Sequence, residues 1–97
     1  MNGSERVKMA EITETRVSSS TSVKSLAGWI ANYAEEGKEV RLRAIGASAV
    51  NQMYKALAIA SGIVAAQGTE LLVKAGFKDL EEDGEKRTAM TAKVVIK

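Results

Sequence analysis

Hydrophobic and polar positions alternate with period two in four stretches of the chain and recur at helical spacing in two others. Period two predicts half-buried strands at residues 12–17, 40–43, 69–78 and 86–97. An apolar stripe over residues 23–34 that stops at Gly37, and a second stripe over residues 50–64, predict two helices. The dipeptide Asp83-Gly84 predicts a tight hairpin turn before the last strand. The predicted element order is therefore βαβαββ.

This order predicts the fold class. Right-handed crossovers place both helices on the same face of one mixed four-stranded sheet, which gives a two-layer α/β sandwich. Trp29 lies at the edge of the first helical stripe and is predicted to be partly buried core, with a subunit interface as the alternative. On the second helix and the sheet, the residues predicted to pack together are Val50, Met53, Leu57 and Val64 against Leu42, Val73, Met90 and Val94.

The link between the second strand and the second helix contains a turn with free backbone N–H groups. Gly46 breaks the strand, and Ser48 is predicted to cap the helix that follows. Converging N–H groups suit an anion, so Gly46, Ser48 and Asn51 are a candidate anion-binding turn. The turn lacks a Walker lysine and a Rossmann glycine triplet, so a purely structural role stays open.

Strand alternation directs basic side chains to the sheet face opposite the helices. The residues of this predicted basic face are Arg41, Arg43, Lys74, Lys78, Arg87 and Lys93. Such a face either keeps the protein soluble or binds the phosphates of a nucleic acid. Ser20, Lys24 and Lys55 complete the candidate nucleic-acid-binding set. The run of hydroxyls at residues 18–22 fits phosphate contact or ordinary turn and capping chemistry.

The amino-acid composition limits the catalytic and metal-binding chemistry that the chain can perform. The chain has 97 residues, no cysteine, no histidine and a net charge of +2 at pH 7. Without these residue types it lacks thiolate metal ligands and the commonest general base. No nucleophile paired with a base is visible in the sequence. We therefore predict a non-enzymatic protein without cofactor or metal.

Length and hydropathy predict one domain. Residues 12–97 form that domain, and residues 1–11 are predicted to be a disordered extension or a non-native remnant. The first 17 residues lack the apolar core of a signal peptide, and no stretch approaches the length of a membrane span. We expect a cytoplasmic protein with no membrane partner.

Four segments resemble the stage V sporulation protein S family. They read KSLAGW from Lys24, IGASAVNQMYKALAIASG from Ile45, GTELLV from Gly68 and GEKRTAM from Gly84. The resemblance covers roughly residues 16–97. It implies a small cytoplasmic bacterial protein tied to spore formation, with a fold similar to that of the chromatin protein Alba. It further implies a homodimeric regulator that binds DNA or another nucleic acid, with other sporulation proteins as further partners.

The hairpin at residues 79–85 departs from an Alba-like arm. It is acidic, whereas an arm that enters a DNA groove should be basic. The alternative function is therefore a protein-interaction or assembly module in spore development that binds no nucleic acid.

Overall fold

Six elements follow one another in the predicted βαβαββ order. They are strand β1 (Ile12–Val17), helix α1 (Val23–Glu35), strand β2 (Glu39–Ala44), helix α2 (Ala47–Ala65), strand β3 (Leu71–Glu82) and strand β4 (Glu85–Ile96). The structure is a computed structural model that describes residues 11–97. The prediction of disorder at residues 1–11 falls outside the described residues, apart from Glu11.

The four strands form one mixed sheet in the order β1-β2-β4-β3. β1 pairs with β2 in parallel, and β4 pairs antiparallel with both β2 and β3. The connections through α1 and α2 therefore both join strands that run in the same direction. Such connections are right-handed, which puts both helices on one face. The two-layer sandwich predicted from the sequence is confirmed.

The core lies between the two helices and the sheet. Its largest fully buried side chains are Val17, Ile30, Val40, Leu42, Val64 and Val94. Met53 and Leu57 of α2 are buried with them, as the helical stripe predicts. Trp29 packs against this core while partly exposed, and its ring makes an edge contact with Tyr33 at a centroid distance of 5.1 Å. The interpretation of Trp29 as partly buried is confirmed.

Two residues predicted to be core are exposed to solvent instead. Val73 is 44% exposed and Met90 is 41% exposed. The sequence assigned both residues to the correct face of the sheet, because Val73 pairs with the buried Val94 and Met90 pairs with the buried Ala44. However, the helices cover Leu71 at the start of β3 but leave the helix-side face exposed nearer the hairpin turn, at Val73 on β3 and at Met90 on β4. The predicted burial of Val73 and Met90 is wrong for this reason.

Local chemistry fixes the ends of α1. Ser22 is its N-cap, and the Ser22 hydroxyl accepts a hydrogen bond from the Ser25 N–H at 3.3 Å. At the other end Gly37 adopts a φ of +83°, a conformation that glycine allows without strain. This lets the Lys38 N–H donate back to the Tyr33 carbonyl at 3.1 Å. The predicted stop at Gly37 is confirmed.

The hairpin between β3 and β4 is longer than predicted. Asp83 and Gly84 both have positive φ, at 52° and 78°, and form the expected two-residue turn. The ladder continues without interruption from Leu71 opposite Ile96 to Glu82 opposite Glu85. The acidic residues before the turn are therefore part of the strand pair.

Candidate nucleic-acid interface

Three basic side chains form a row across three neighbouring strands. Arg41 of β2 lies opposite Lys93 of β4, and Lys93 lies opposite Lys74 of β3. Val40 and Val94, one position along, point into the helix-side core and are fully buried. Because side chains alternate between faces along a strand, the three cations lie together on the opposite face, which we call the outer face.

The other predicted bases of the sheet share this face. Arg43 lies in the next row, opposite Thr91, and is partly buried. Lys78 is paired with Ala89 and Arg87 with Leu80, further along the hairpin. The alternation read from the sequence therefore assigns all six bases to the correct side of the sheet.

The outer face is concave because the hairpin bends across it. The Arg16 Nη1 atom on β1 lies 3.7 Å from the Glu82 Oε2 atom near the hairpin tip, although β2 and β4 lie between the two strands. Ala89, which faces outward, is completely buried without belonging to the helix-side core. An open cavity of about 370 Å³ lies on this face. It is lined by Glu14, Arg41, Leu42, Lys74, Ala75, Gly76, Phe77, Lys78, Thr91, Ala92 and Lys93.

Charge in the cavity is predominantly positive. Arg41 is partly neutralised, since its Nε lies 2.5 Å from Glu39 Oε2. Lys74, Lys78 and Lys93 form no ion pair with any of residues 11–97. Three exposed ammonium groups around one concave surface attract a ligand with several negative charges.

Lys38 belongs to a different environment on the helix side. Its ammonium lies 4.5 Å from the centre of the Tyr33 ring and 3.2 Å from a Glu36 carboxylate oxygen. The hydrogen bond with Glu36 raises the pKa of Lys38, and the charge of Glu11 at 3.7 Å acts in the same direction. Lys38 is therefore already paired and contributes nothing to the outer face.

The hydroxyl-rich loop before α1 uses its hydroxyls internally. The Ser18 N–H donates to the Thr21 hydroxyl at 2.8 Å, and the Ser18 and Ser20 hydroxyls lie 3.1 Å apart. Ser22 caps the helix. These hydrogen bonds are those of turn and capping chemistry, and phosphate contact by Ser20 stays a prediction. Lys24 is exposed on α1, in the helix layer, and does not share a surface with the outer face.

The turn at Gly46 differs from its prediction in one respect. Gly46 itself is the N-cap of α2, with a φ of +94°, and no side chain caps this helix. Ser48 lies inside the first turn, so its predicted capping role is wrong. The helix begins two positions earlier than a Ser48 N-cap would place it, because glycine adopts this positive φ. Asn51 and Lys55 are exposed on α2, in the helix layer, and the structure brings neither to the basic face.

Sequence analysis missed the acids that border the basic row. Glu14 of β1 lies opposite Arg41, and Glu39 pairs with Arg41 along β2. Alternation already places Glu14 on the outward face, but only the pairing of β1 with β2 puts it beside Arg41. Among residues 11–97, no cluster of three or more carboxylates has a geometry that could hold a metal ion.

A comparison with known families identifies the chain. The family described as stage V sporulation protein S (SpoVS) matches residues 13–97, which is most of the sequence. The chain belongs to the stage V sporulation protein S family. Members of this bacterial family are sporulation-associated, so this protein is too. Neither helix within the described residues is long and apolar enough to cross a bilayer.

Proposed function

We propose that this sporulation protein is a non-enzymatic, homodimeric regulator that binds nucleic acid through phosphate contacts on the outer face. The observation that carries the proposal is the row formed by Arg41, Lys93 and Lys74 across three strands. Directly opposed like charges destabilise an antiparallel pair. A polyanion bound to the row would offset this repulsion, whereas a face needed only for solubility gains nothing from opposed cations.

The spacing of the cations suits a phosphate backbone. Two strand spacings of about 4.8 Å separate Arg41 from Lys74 by about 10 Å. Lys78 lies four residues along β3 from Lys74, or about 13 Å away at about 3.3 Å per residue. A footprint of this size touches several phosphates at once. Phosphate contacts carry no sequence information, so we expect weak binding in the micromolar range without sequence preference.

The homodimer is proposed from exposed apolar surface. Leu72 and Val95 lie opposite each other on β3 and β4 and are 41% and 39% exposed. On the helix side of the same hairpin, Phe77 is 71% exposed. Apolar side chains exposed on both faces of a hairpin favour burial against another protein surface.

A charge-neutralising double variant tests the nucleic-acid proposal. Lys74→Gln with Lys93→Gln removes two ammonium groups from the outer face, neither of which forms an ion pair with any of residues 11–97. Lys24→Gln with Lys55→Gln removes the same charge from exposed positions on the two helices and is the matched control. Binding of a short labelled duplex, and of one of its strands alone, is measured by fluorescence anisotropy at several KCl concentrations.

The salt dependence distinguishes binding at the outer face from attraction by the overall positive charge of the protein. We expect the Lys74/Lys93 variant to lose affinity, with a salt slope lower by about 0.9 for each phosphate contact removed. The Lys24/Lys55 control should keep the slope of the unmodified protein. Equal losses in both variants, or no binding at low salt, would overturn the proposal. The two probes show whether a duplex or a single strand is preferred.

The second candidate function is a protein-interaction module. It is favoured by the exposed Phe77 next to the acids at the hairpin tip. Apolar contacts weaken little as salt is raised, whereas phosphate contacts weaken steeply. Partner capture from a sporulating lysate that resists both salt and nuclease would favour this function.

A further inference from the structure

Three lysines of the outer face surround Gly76 on β3. Lys74 and Lys78 lie two residues before and after Gly76 on the same side of the strand, each about 7 Å away at about 3.3 Å per residue. Lys93 is the diagonal neighbour of Gly76 across β4, about 7–8 Å away. Because lysine stems are long and flexible, all three ammonium groups can approach one point above Gly76.

Arg41, on the other side of the cavity, has its charge largely matched. Its Nε lies 2.5 Å from Glu39 Oε2, and Glu14 lies opposite it on β1. The three lysines around Gly76, in contrast, form no ion pair with any of residues 11–97. An anion in the cavity is therefore drawn towards the β3–β4 side and Gly76.

Gly76 and Thr91 form the floor of the cavity between these lysines. They are cross-strand partners, both line the cavity, and both are partly buried, whereas the lysines are exposed. A Cβ atom at Gly76 would lie 3.0 Å from Thr91 Oγ1, so the hydroxyl faces the space that a side chain at position 76 would fill. This hydroxyl makes no hydrogen bond with any of residues 11–97. Hydroxyls and lysines both contact phosphate oxygens in nucleic-acid complexes, so the floor is suited to a phosphate.

The width of the cavity decides which form of nucleic acid reaches this floor. Its lining extends from Glu14 on β1 to Lys74 on β3, which are three strand spacings or about 14 Å apart. A B-form duplex carries a major groove about 12 Å wide beside a minor groove about 6 Å wide, and it is too stiff to bend into a depression of this size. A single strand is thinner and flexible, and its backbone can follow a basic groove.

We infer that the outer face takes single-stranded rather than duplex nucleic acid, with one backbone phosphate resting on Gly76 beside the Thr91 hydroxyl. This inference rests on the proposed function, because it specifies which nucleic acid the same face binds. The aromatic residues lie on the helices or, for Phe77, on the helix side of the sheet, so no ring on the outer face stacks on bases. Contact with the backbone alone agrees with binding that has no sequence preference.

The preference between two probes tests the inference. One probe is a short labelled DNA single strand, and the other is the same strand annealed to its complement; both are titrated by fluorescence anisotropy at low KCl. The duplex has the higher density of phosphate charge, so general electrostatic attraction favours the duplex. We expect the unmodified protein to bind the single strand about tenfold more tightly, the factor that a hydrogen bond to a charged group contributes. Equal affinities, or a preference for the duplex, would overturn the inference.

The variant Gly76→Val fills the floor of the cavity. Gly76 does not have a positive φ, and valine is favoured in strands, so the variant should stay folded. Gly62→Val is the matched control, because it adds the same side chain on α2 at a position with nothing within 4 Å. Gly76→Val should bind the single strand about tenfold more weakly and the duplex as before, whereas the control should bind both probes as before. Equal single-strand affinities in the two variants would overturn the inference.

The variant Thr91→Val gives a test that does not depend on the folding of Gly76→Val. It keeps the shape of the floor and removes only the hydroxyl, so single-strand affinity should fall; an unchanged affinity would overturn the phosphate position. The Lys74/Lys93 variant separates this inference from the proposed function. If that variant loses affinity and salt slope while the unmodified protein prefers the duplex, the outer face remains the binding site and only the single-strand inference fails. No binding of either probe at low salt would overturn both.

Discussion

Arg16 on β1 and Glu82 at the end of β3 lie 3.7 Å apart, across a sheet in which two other strands separate β1 from β3. The contact is possible because the hairpin bends over the outer face. The open cavity lined by Lys74, Lys78 and Lys93 lies on the same face. The Arg16–Glu82 ion pair therefore connects the bent hairpin to β1, the strand at the opposite edge of the sheet.

We predict that Glu82→Gln loosens the hairpin with little loss of global stability. Both side chains of the Arg16–Glu82 pair are partly exposed, so the free energy of unfolding should fall by less than about 1 kcal/mol. Backbone amides near the tip should exchange faster with solvent. Glu81→Gln, which removes the same charge from the opposite face of β3, is the control. Equal exchange in the two variants would mean that the ion pair does not hold the bend.

We predict that neutralising the basic row stabilises the protein while it weakens nucleic-acid binding. Lys74 and Lys93 lie directly opposite each other, and relief of such a pair is worth roughly 0.2–1 kcal/mol. The Lys74→Gln, Lys93→Gln variant should therefore unfold at higher denaturant concentration in low salt. The gain should shrink in high salt, which screens exposed charges. A variant that is less stable at low salt would show that the two lysines do not repel each other.

We predict that Leu57→Ala destabilises the domain strongly. Leu57 is buried between α2 and the sheet, and the substitution should lower the free energy of unfolding by about 2–5 kcal/mol through lost burial and a new cavity. Tyr54→Ala, on the exposed side of the same helix, should change it by no more than about 0.5 kcal/mol. Urea denaturation of both variants checks this. A cooperative transition unchanged by Leu57→Ala would contradict the placement of α2.

We predict that the two helix starts respond differently to loss of a serine. Ser22 caps α1 through a bond from the Ser25 N–H, so Ser22→Ala should cost about 0.5–2 kcal/mol. Ser48 makes no capping bond in α2, so Ser48→Ala should stay within about 0.5 kcal/mol. Thermal denaturation of the two variants makes the comparison. A larger loss for Ser48→Ala would restore the capping role predicted from the sequence.

The sequence by itself determined the elements and the faces of their side chains. Period-two alternation assigned Arg41, Lys74 and Lys93 to the outer face, because the covalent geometry of an extended chain fixes which side each residue takes. The stripe through Met53 and Leu57 identified the buried face of α2 for the same reason, at a period of 3.6. Asp83-Gly84 fixed the hairpin turn through its backbone preference for positive φ.

Only the tertiary structure decided what those faces meet. Alternation assigns Val73 and Met90 to the inner face but carries no information on how far the helices extend over the β3–β4 hairpin, so their exposure was not predictable. The pairing order that aligns Arg41 with Lys93 and Lys74, and the bend that brings Glu82 to Arg16, depend on contacts between residues far apart in the chain. Local sequence patterns specify the face of a strand or helix to which each side chain points. Strand order and sheet curvature arise only when the whole sheet packs against its helices.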